Sequence, residues 1–359
     1  MATTADTPRN PNSPMKMIWE TFQIANPKIR IRDAAEILGV KEVELLATSC
    51  GKNVVRLQGE WSEIVRHLAE LGPVMALTRN AHAVSEKHGT FSNIKFHGHM
   101  GLVMDEGGID LRLFMHHWHV GFAVKTEGLQ GTLRSFQFFD CHGTALHKVY
   151  LTEQSEKGAY NQLTAEYASR DQTPCQSVEP VEPVAPDRPD AEIDVTGLEA
   201  AWNTLEDTHD FQSLLGRFGV GRVQALRLVD EGLACQVRPS ALREVLHMAA
   251  QNHIPIMVFV GSPGVIQIHS GVVSNIKSTG SWINVLDDRF NLHVRQDQIA
   301  SAWVVCKPTR NGIVWSLELY DNKGETIALL FANRKEGEVV LQAWTSVLSS
   351  LLPGRRPTQ

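Results

Sequence analysis

The sequence predicts an α+β fold made by internal duplication: two similar halves, each combining helices with a large antiparallel sheet. Three observations predict it. The first is the repeat itself. At an offset of 182, Met75 meets Met257, Gly89 meets Gly271, and Ser92-Asn93-Ile94-Lys95 meets Ser274-Asn275-Ile276-Lys277. At 181, Ser135 meets Ser316, Asp140 meets Asp321 and Gly143 meets Gly324; at 180, Leu38-Gly39-Val40 meets Phe218-Gly219-Val220. The second is that each copy opens with helical periodicity and continues in short, alternating strands. The third is that turn signals, and no long crossovers, separate those strands, which favours antiparallel pairing and argues against a Rossmann sheet.

In the first copy, Arg32 to Leu38 reads as a helix stopped by Gly39 in a left-handed cap. Helices over Lys41 to Ala47 and Trp61 to Leu71 follow, with a short strand over Val54 to Leu57 between them. Strands are then expected over Val74 to Leu77, Phe91 to Phe96, Gly101 to Met104, Ile109 to Phe114, Val120 to Lys125, Leu133 to Phe139 and Ala145 to Leu151. A helix near Ser155 to Tyr167 closes the copy. Between Thr173 and Asp190, five prolines alternate with acidic residues, which blocks both helix and ladder and marks an extended linker. The second copy repeats the order, with helices near Asp210 to Phe218, Arg222 to Asp230 and Ser240 to Gln251. Strands then run from Ile254 to Phe331, and a last helix spans Glu338 to Leu352. The expected division is residues 1–170 for the first repeat, 171–196 for the linker and 197–359 for the second.

Bulk properties limit the function. The 359 residues are 43% hydrophobic and 21% charged, as in an ordinary globular protein with a large core. A net charge of −6 makes nucleic acid an unlikely partner. No apolar run is long enough to span a bilayer, and the polar N-terminus has no signal-peptide core, which points to the cytoplasm. The five cysteines include no Cys-x-x-Cys pair and are expected to be reduced and mostly buried. Phosphate-loop, dinucleotide-binding, serine-elbow and His-Glu-x-x-His patterns are all missing.

Fifteen histidines raise the question of a metal or metallocofactor. On strands, His97 could chelate with His99 and His117 with His119, whereas His116 and His117 would face opposite ways; surface or satisfied core histidines are the competing reading. The segment Glu206-Asp207-Thr208-His209-Asp210 is more specific. It opens a helix whose buried stripe is Phe211, Leu214, Leu215 and Phe218, with Asp207 or Thr208 as its cap. At about 100° per residue, His209 points away from that stripe. It reads either as an open ligand or as a solvent-facing helix-start histidine.

Comparing the copies sharpens the choice. His209 falls opposite Ile29, Arg222 opposite Glu42, Arg112 opposite His293 and Arg334 opposite Thr152. His209, Arg222 and Arg334 belong to the second copy alone and Arg112 to the first alone. A site using all four would be single, asymmetric and at the junction of the halves; the competing reading is drift on solvated faces.

Several motifs together resemble one family. They are Arg32-Asp33-Ala34-Ala35-Glu36-Ile37-Leu38-Gly39-Val40, Ile109-Asp110-Leu111-Arg112-Leu113-Phe114, Asp207-Thr208-His209-Asp210-Phe211, Arg222-Val223-Gln224-Ala225-Leu226-Arg227, Ala302-Trp303-Val304-Val305-Cys306-Lys307-Pro308-Thr309 and Ser316-Leu317-Glu318-Leu319. The chain is similar over nearly its whole length to the cytoplasmic haem-trafficking and haem-degrading proteins of bacterial haem uptake, the HemS/ChuS/HmuS type. The resemblance implies sheets stacked back to back and one haem b, as cargo or substrate, in a cleft using both halves. It implies His209 as the axial iron ligand and Arg112 as the distal residue, catalytic if the protein is an enzyme. It implies Arg222, Lys307 and Arg334 near the propionates, each contact contributing about 1.5–3 kcal/mol if partly desolvated. Asp210 or Asp207 would hold the second imidazole nitrogen. Asp210 and Gln212 stand where some members carry further histidines, and Phe331 where many carry tyrosine.

The function implied is a haem carrier in iron acquisition that accepts haem from an inner-membrane importer and passes it on. A downstream haem oxygenase or reductase would be its further partner. Two alternatives remain: a haem-degrading oxygenase needing an external electron donor, and a duplicated interaction scaffold that binds no haem.

Overall fold

The structure, a computed structural model, describes residues 14–105, 107–128, 131–183, 185–333 and 337–353. It holds two nine-stranded antiparallel sheets. In order of hydrogen-bonded neighbours, one sheet runs Val54–Leu57, Val120–Gly128, Gly131–Phe139, Ala145–Leu151, Val74–Arg79, Ala83–Gly89, Phe290–Arg295, Trp282–Asp287, Ile276–Thr279. The other runs Ala234–Val237, Ser301–Lys307, Val314–Tyr320, Thr326–Ala332, Ile256–Ser262, Val265–Gly271, Asp110–Phe114, Met100–Met104, Lys95–His97. The α+β class is as expected. The copies also exchange strands, so that each sheet is completed by three strands from the opposite copy.

By contacts the chain divides into two compact units. One holds the residues up to Thr78 with His88–Glu182 and Ser262–Val265. Its core gathers Leu68, Val74, Phe136, Phe138 and Tyr160, all at or near zero exposure, and the Tyr160 hydroxyl donates to the Val124 carbonyl at 3.0 Å. The other unit holds Arg79–Lys87 with Pro183–Gly261 and the residues from Ile266 onward. It has two buried clusters: one around Leu246, Val258, Leu330 and Trp344, the other around Trp202, Phe211, Leu215, Leu226 and Tyr320. The second cluster lies under the candidate site.

The duplication is visible atom by atom. Gly39 and Gly219 end equivalent helices in left-handed conformations, φ 68° and 59°. Gly143 and Gly324 share φ 79° in turns where Asp140 and Asp321 accept backbone N–H bonds from Thr144 and Glu325. Gln137 pairs with Phe122 and Lys148, and Glu318, 181 residues later, pairs with Trp303 and Leu329. Register irregularities recur after Phe138 and after Leu319, again 181 apart.

Some elements differ from expectation. The strand expected over Phe91 to Phe96 shrinks to Lys95–His97, because Asn93 takes φ 47° and its amide bonds the Met104 carbonyl. Ala83–Gly89 is a strand without the usual alternation, since it buries Ser85 and Lys87. The helices Pro14–Ala25 and Val195–Asn203 were also unanticipated; the Asp194 carboxylate caps the latter by accepting from Gly197 N at 2.9 Å. The histidine-rich segment is not extended: Met115–His117 is a 3-10 turn. His116 and His117 therefore do not face opposite ways, and their rings lie 4.0 Å apart, while the shared strand face proposed for His117 and His119 does not exist. Among the described residues no helix is long and apolar enough to cross a membrane, and all five cysteines are free.

Two buried imidazoles make the fold sensitive to acid. Burial pushes His147 down to about 3, with its Nδ1 2.8 Å from the Thr78 hydroxyl. Burial, with the Lys87 ammonium adding to it, pushes His269 down to about 3; that ring stacks on Phe290 at 3.7 Å. Both are neutral when folded, whereas an unfolded histidine titrates near 6.5, so the unfolded chain binds more protons between those values. Their stabilisation is complete above pH 6.5 and is lost as pH falls below it, at up to about 1.4 kcal/mol per pH unit for each. Urea unfolding should therefore give a free energy about 2–4 kcal/mol lower at pH 5 than at pH 7.5. His147→Gln should remove about half of that difference. An unchanged pH slope in that variant would contradict the assignment.

Candidate functional site

The helix Phe211–Phe218 forms because Phe211, Leu214 and Leu215 share one buried face and Gly219 supplies the left-handed stop. A 3-10 turn, Thr208–Asp210, leads into it. Asp207, in extended conformation, caps that turn: its Oδ1 accepts the His209 backbone N–H at 2.9 Å and lies 2.6 Å from His209 Nδ1. Of the two carboxylates considered from the sequence, Asp207 is the imidazole partner, while Asp210 lines a nearby cavity. The His209 backbone and ring hydrogen bonds hold the Asp207 carboxyl below its ordinary range. An ionised carboxylate only accepts, so Nδ1 carries a proton, and in the neutral ring the lone pair is on Nε2. With its side chain 88% exposed, His209 presents that lone pair outward.

Beneath this turn lies a buried charge cluster. Glu318, on the strand Val314–Tyr320, has 0% side-chain exposure. Its Oε2 accepts from Arg222 Nε at 3.1 Å, Arg222 Nη2 at 2.9 Å and the Tyr320 hydroxyl at 2.5 Å. Its Oε1 accepts from Lys307 Nζ at 2.5 Å and the Ser316 hydroxyl at 3.0 Å. Lys307 is 3% exposed and Arg222 24%. Both cations lie near the Phe211 ring, Lys307 Nζ 4.5 Å and Arg222 Cζ 5.1 Å from its centroid, and Trp202 meets its edge at 4.4 Å.

Burial alone would neutralise the Glu318 carboxylate, but Arg222 and Lys307 outweigh it and hold the group below the usual carboxylate range. Burial pulls Lys307 down, and Glu318 resists that fall. Burial likewise opposes the Arg222 charge, which the carboxylate more than restores. Two cations thus share one anion, leaving an excess positive charge under an exposed imidazole.

The other expected residues fall elsewhere. Arg112 belongs to the other unit, on the strand Asp110–Phe114. It is 28% exposed, ion-paired with Asp110, and donates from Nη1 to the Leu111 carbonyl at 3.3 Å. Arg334 lies outside the described residues. His293 Nδ1 is 2.7 Å from Asn284 Oδ1, and Phe331 packs edge-on against Phe259 at 5.0 Å. His99 and His116 lie 6.5 Å apart, yet among the described residues no group of three or more histidine, cysteine or acidic side chains has metal-holding geometry. A cavity of about 400 Å³ opens beside the His209 turn, lined by Ala201, Thr204, Leu205, Glu206, Asp210, Ser213, Leu214 and Arg217. Its charged lining is Glu206, Asp210 and Arg217, and Glu206 is ion-paired with Arg310.

Sequence reasoning missed Glu318, Tyr320 and Phe211 as parts of the site. One signal was present: a glutamate set between Leu317 and Leu319 in an apolar strand must find buried counter-charges.

Comparison with known proteins places this chain in a family. The model of the haemin-degrading HemS/ChuX domain matches twice, at residues 39–167 and 219–351. The chain belongs to this haemin-degrading HemS/ChuX family. Among family members, the hemin transport protein HmuS of Yersinia pestis is 37% identical over 321 residues, covering 89% of this chain and 92% of that protein. HemS of Yersinia enterocolitica, also a hemin transport protein, is 37% identical over 94% of this chain and 97% of its own. Of solved structures, holo-PhuS, a heme-binding protein from Pseudomonas aeruginosa, superposes with a TM-score of 0.91 at 40% identity, covering 96% and 99% of the two chains. The heme degrading enzyme ChuS of Escherichia coli O157:H7 superposes at 0.87 and 36% identity, covering 94% and 99%.

The cap makes a direct prediction for the turn at His209. Asp207→Ala should cost about 1 kcal/mol in urea unfolding. It should also shift the His209 ring from a single Nδ1–H tautomer to a mixture, read by nitrogen-15 NMR of the imidazole. A ring that keeps its tautomer would show that Asp207 does not set it.

Proposed function

We propose that this protein binds one haem through His209 Nε2 and carries it in the cytoplasm, accepting it from an inner-membrane importer. The observation that carries this reading is the outward imidazole, its Nδ1 fixed by Asp207, standing over a cluster with excess positive charge. A neutral imidazole with an oriented second nitrogen suits haem iron. An excess of positive charge suits the two propionates. Arg222 is the group that can meet a propionate directly, because its side chain is partly exposed. Arg334 is proposed as a second propionate partner, and Arg112 as a donor to a ligand on the far side of the iron.

The relatives described as hemin transport proteins support the carrier reading. A second reading is supported by ChuS, described as an E. coli heme oxygenase and 35% identical to this chain. In it the same residues hold haem while the porphyrin is opened and iron released, with electrons from an external donor.

Hemin added to the purified protein should give a Soret band that saturates at one equivalent. His209→Ala should weaken binding at least about tenfold and change the iron spectrum; an unchanged spectrum would remove His209 from the iron. Arg112→Ala should alter the sixth position more than the affinity, and a large affinity loss with that position unchanged would contradict the assignment. Reductant and air, with catalase present, separate the two readings. A carrier bleaches slowly or not at all, whereas rapid conversion to a defined linear tetrapyrrole establishes the oxygenase.

A further inference from the structure

We infer that Glu318 is a positioning residue for haem, holding the Arg222 guanidinium and the Phe211 ring beneath the His209 turn, and that Lys307 acts through Glu318 without touching haem. This rests on the haem reading above and deepens it.

The duplication provides an internal control. The two copies keep the same ladder register, the same bulge and the same Asp–Gly turn, so equivalent positions can be read 181 residues apart. At the Glu318 position the first copy has Gln137, whose Nε2 donates to Ser135 at 3.0 Å just as Ser316 donates to Glu318 at 3.0 Å. Tyr320 is replaced by Phe139 and Lys307 by Thr126, while Arg222, at the helix offset of 180, is replaced by Glu42. There a single buried pair, Lys148 with Glu42, balances its own charge. The first copy therefore keeps the same strand register without the four-residue cluster. Buried ion pairs are in general weak stabilisers, and apolar replacements often do as well. The cluster is thus better explained by what stands on it than by the sheet it sits in.

Geometry assigns the roles. Lys307, at 3% exposure, is committed to Glu318 and to the face of Phe211, and has no path to an external ligand without breaking that pair. Its charge offsets the carboxylate. Arg222 directs Nε and Nη2 at Glu318 and Tyr320, which fixes the guanidinium plane and leaves Nη1 for a ligand carboxylate. Phe211 follows the 3-10 turn directly, so clamping its ring fixes the base on which His209 stands.

A double-mutant cycle read with hemin tests this. Lys307→Met should weaken hemin binding at least about tenfold in the wild-type background, because the Glu318 charge then cancels that of Arg222. In a Glu318→Gln background the same substitution should change affinity less than about threefold. Glu318→Gln alone should weaken hemin binding and shift the iron spectrum. Gln137→Ala, at the matching place in the first copy, should do neither. Tyr320→Phe copies Phe139 and removes one hydroxyl, so it serves if Glu318→Gln does not fold; it should weaken hemin binding about three- to fivefold. For hemin dimethyl ester, which lacks the propionate charges, the Lys307→Met effect should largely vanish. Equal Lys307→Met losses in both backgrounds would mean that Lys307 meets haem directly and would overturn the inference, as would wild-type binding and spectrum in Glu318→Gln or Tyr320→Phe. Failure of the haem reading has a different signature: wild-type protein and His209→Ala would then give the same spectrum with hemin.

Discussion

A carboxylate with no exposed surface keeps its charge only if cations are brought to it, and Glu318 is such a carboxylate. That requirement ties together three stretches distant in sequence. The helix Arg222–Leu228 brings a guanidinium, the strand Ser301–Lys307 an ammonium, and the strand Val314–Tyr320 the carboxylate with its own tyrosine and serine. Phe211 lies against both cations and begins the helix that follows the His209 turn. The position of an exposed histidine is thus set from beneath by a charge balance in the interior.

The two copies separate what the fold requires from what it tolerates. Left-handed glycines, Asp–Gly turns, strand registers and bulges recur in both, because each is a backbone requirement that few other residues meet. Side chains facing the buried space between helix and strand are not bound in the same way. One copy fills it with the pair Lys148 and Glu42 beside Gln137 and Phe139, and the other with Arg222, Lys307, Glu318 and Tyr320. Only the second arrangement leaves a surplus charge, and only the second has a histidine at the head of its helix.

How far the sequence could be read follows from how local each signal is. The duplication, the glycine stops and the capped start at Asp207 involve neighbours a few residues apart and were legible. His209 was legible as an outward residue, although the premise was helical periodicity and the residue sits in a 3-10 turn ahead of the helix, oriented by Asp207. The exchange of strands between sheets was not, since edge pairing over about two hundred residues leaves no local mark. Ala83–Gly89 escaped notice because buried Ser85 and Lys87 disguise an interior strand. The spacing argument for His116 and His117 assumed an extended chain, and the 3-10 turn removed that premise. The resemblance singled out Lys307 as a basic residue, but its depth, and the carboxylate that makes the depth possible, come only from the fold.

Hydrogen–deuterium exchange with and without hemin tests the central claim most directly, because it reports where the ligand sits without altering any residue. Bound hemin should slow amide exchange in the segment from Asp207 to Phe211 and at the start of the Arg222 helix. It should leave the first copy's Glu42 helix, equivalent in fold but lacking the cluster, at its original rate. Saturating hemin that leaves both second-copy segments exchanging as in the free protein would contradict the account.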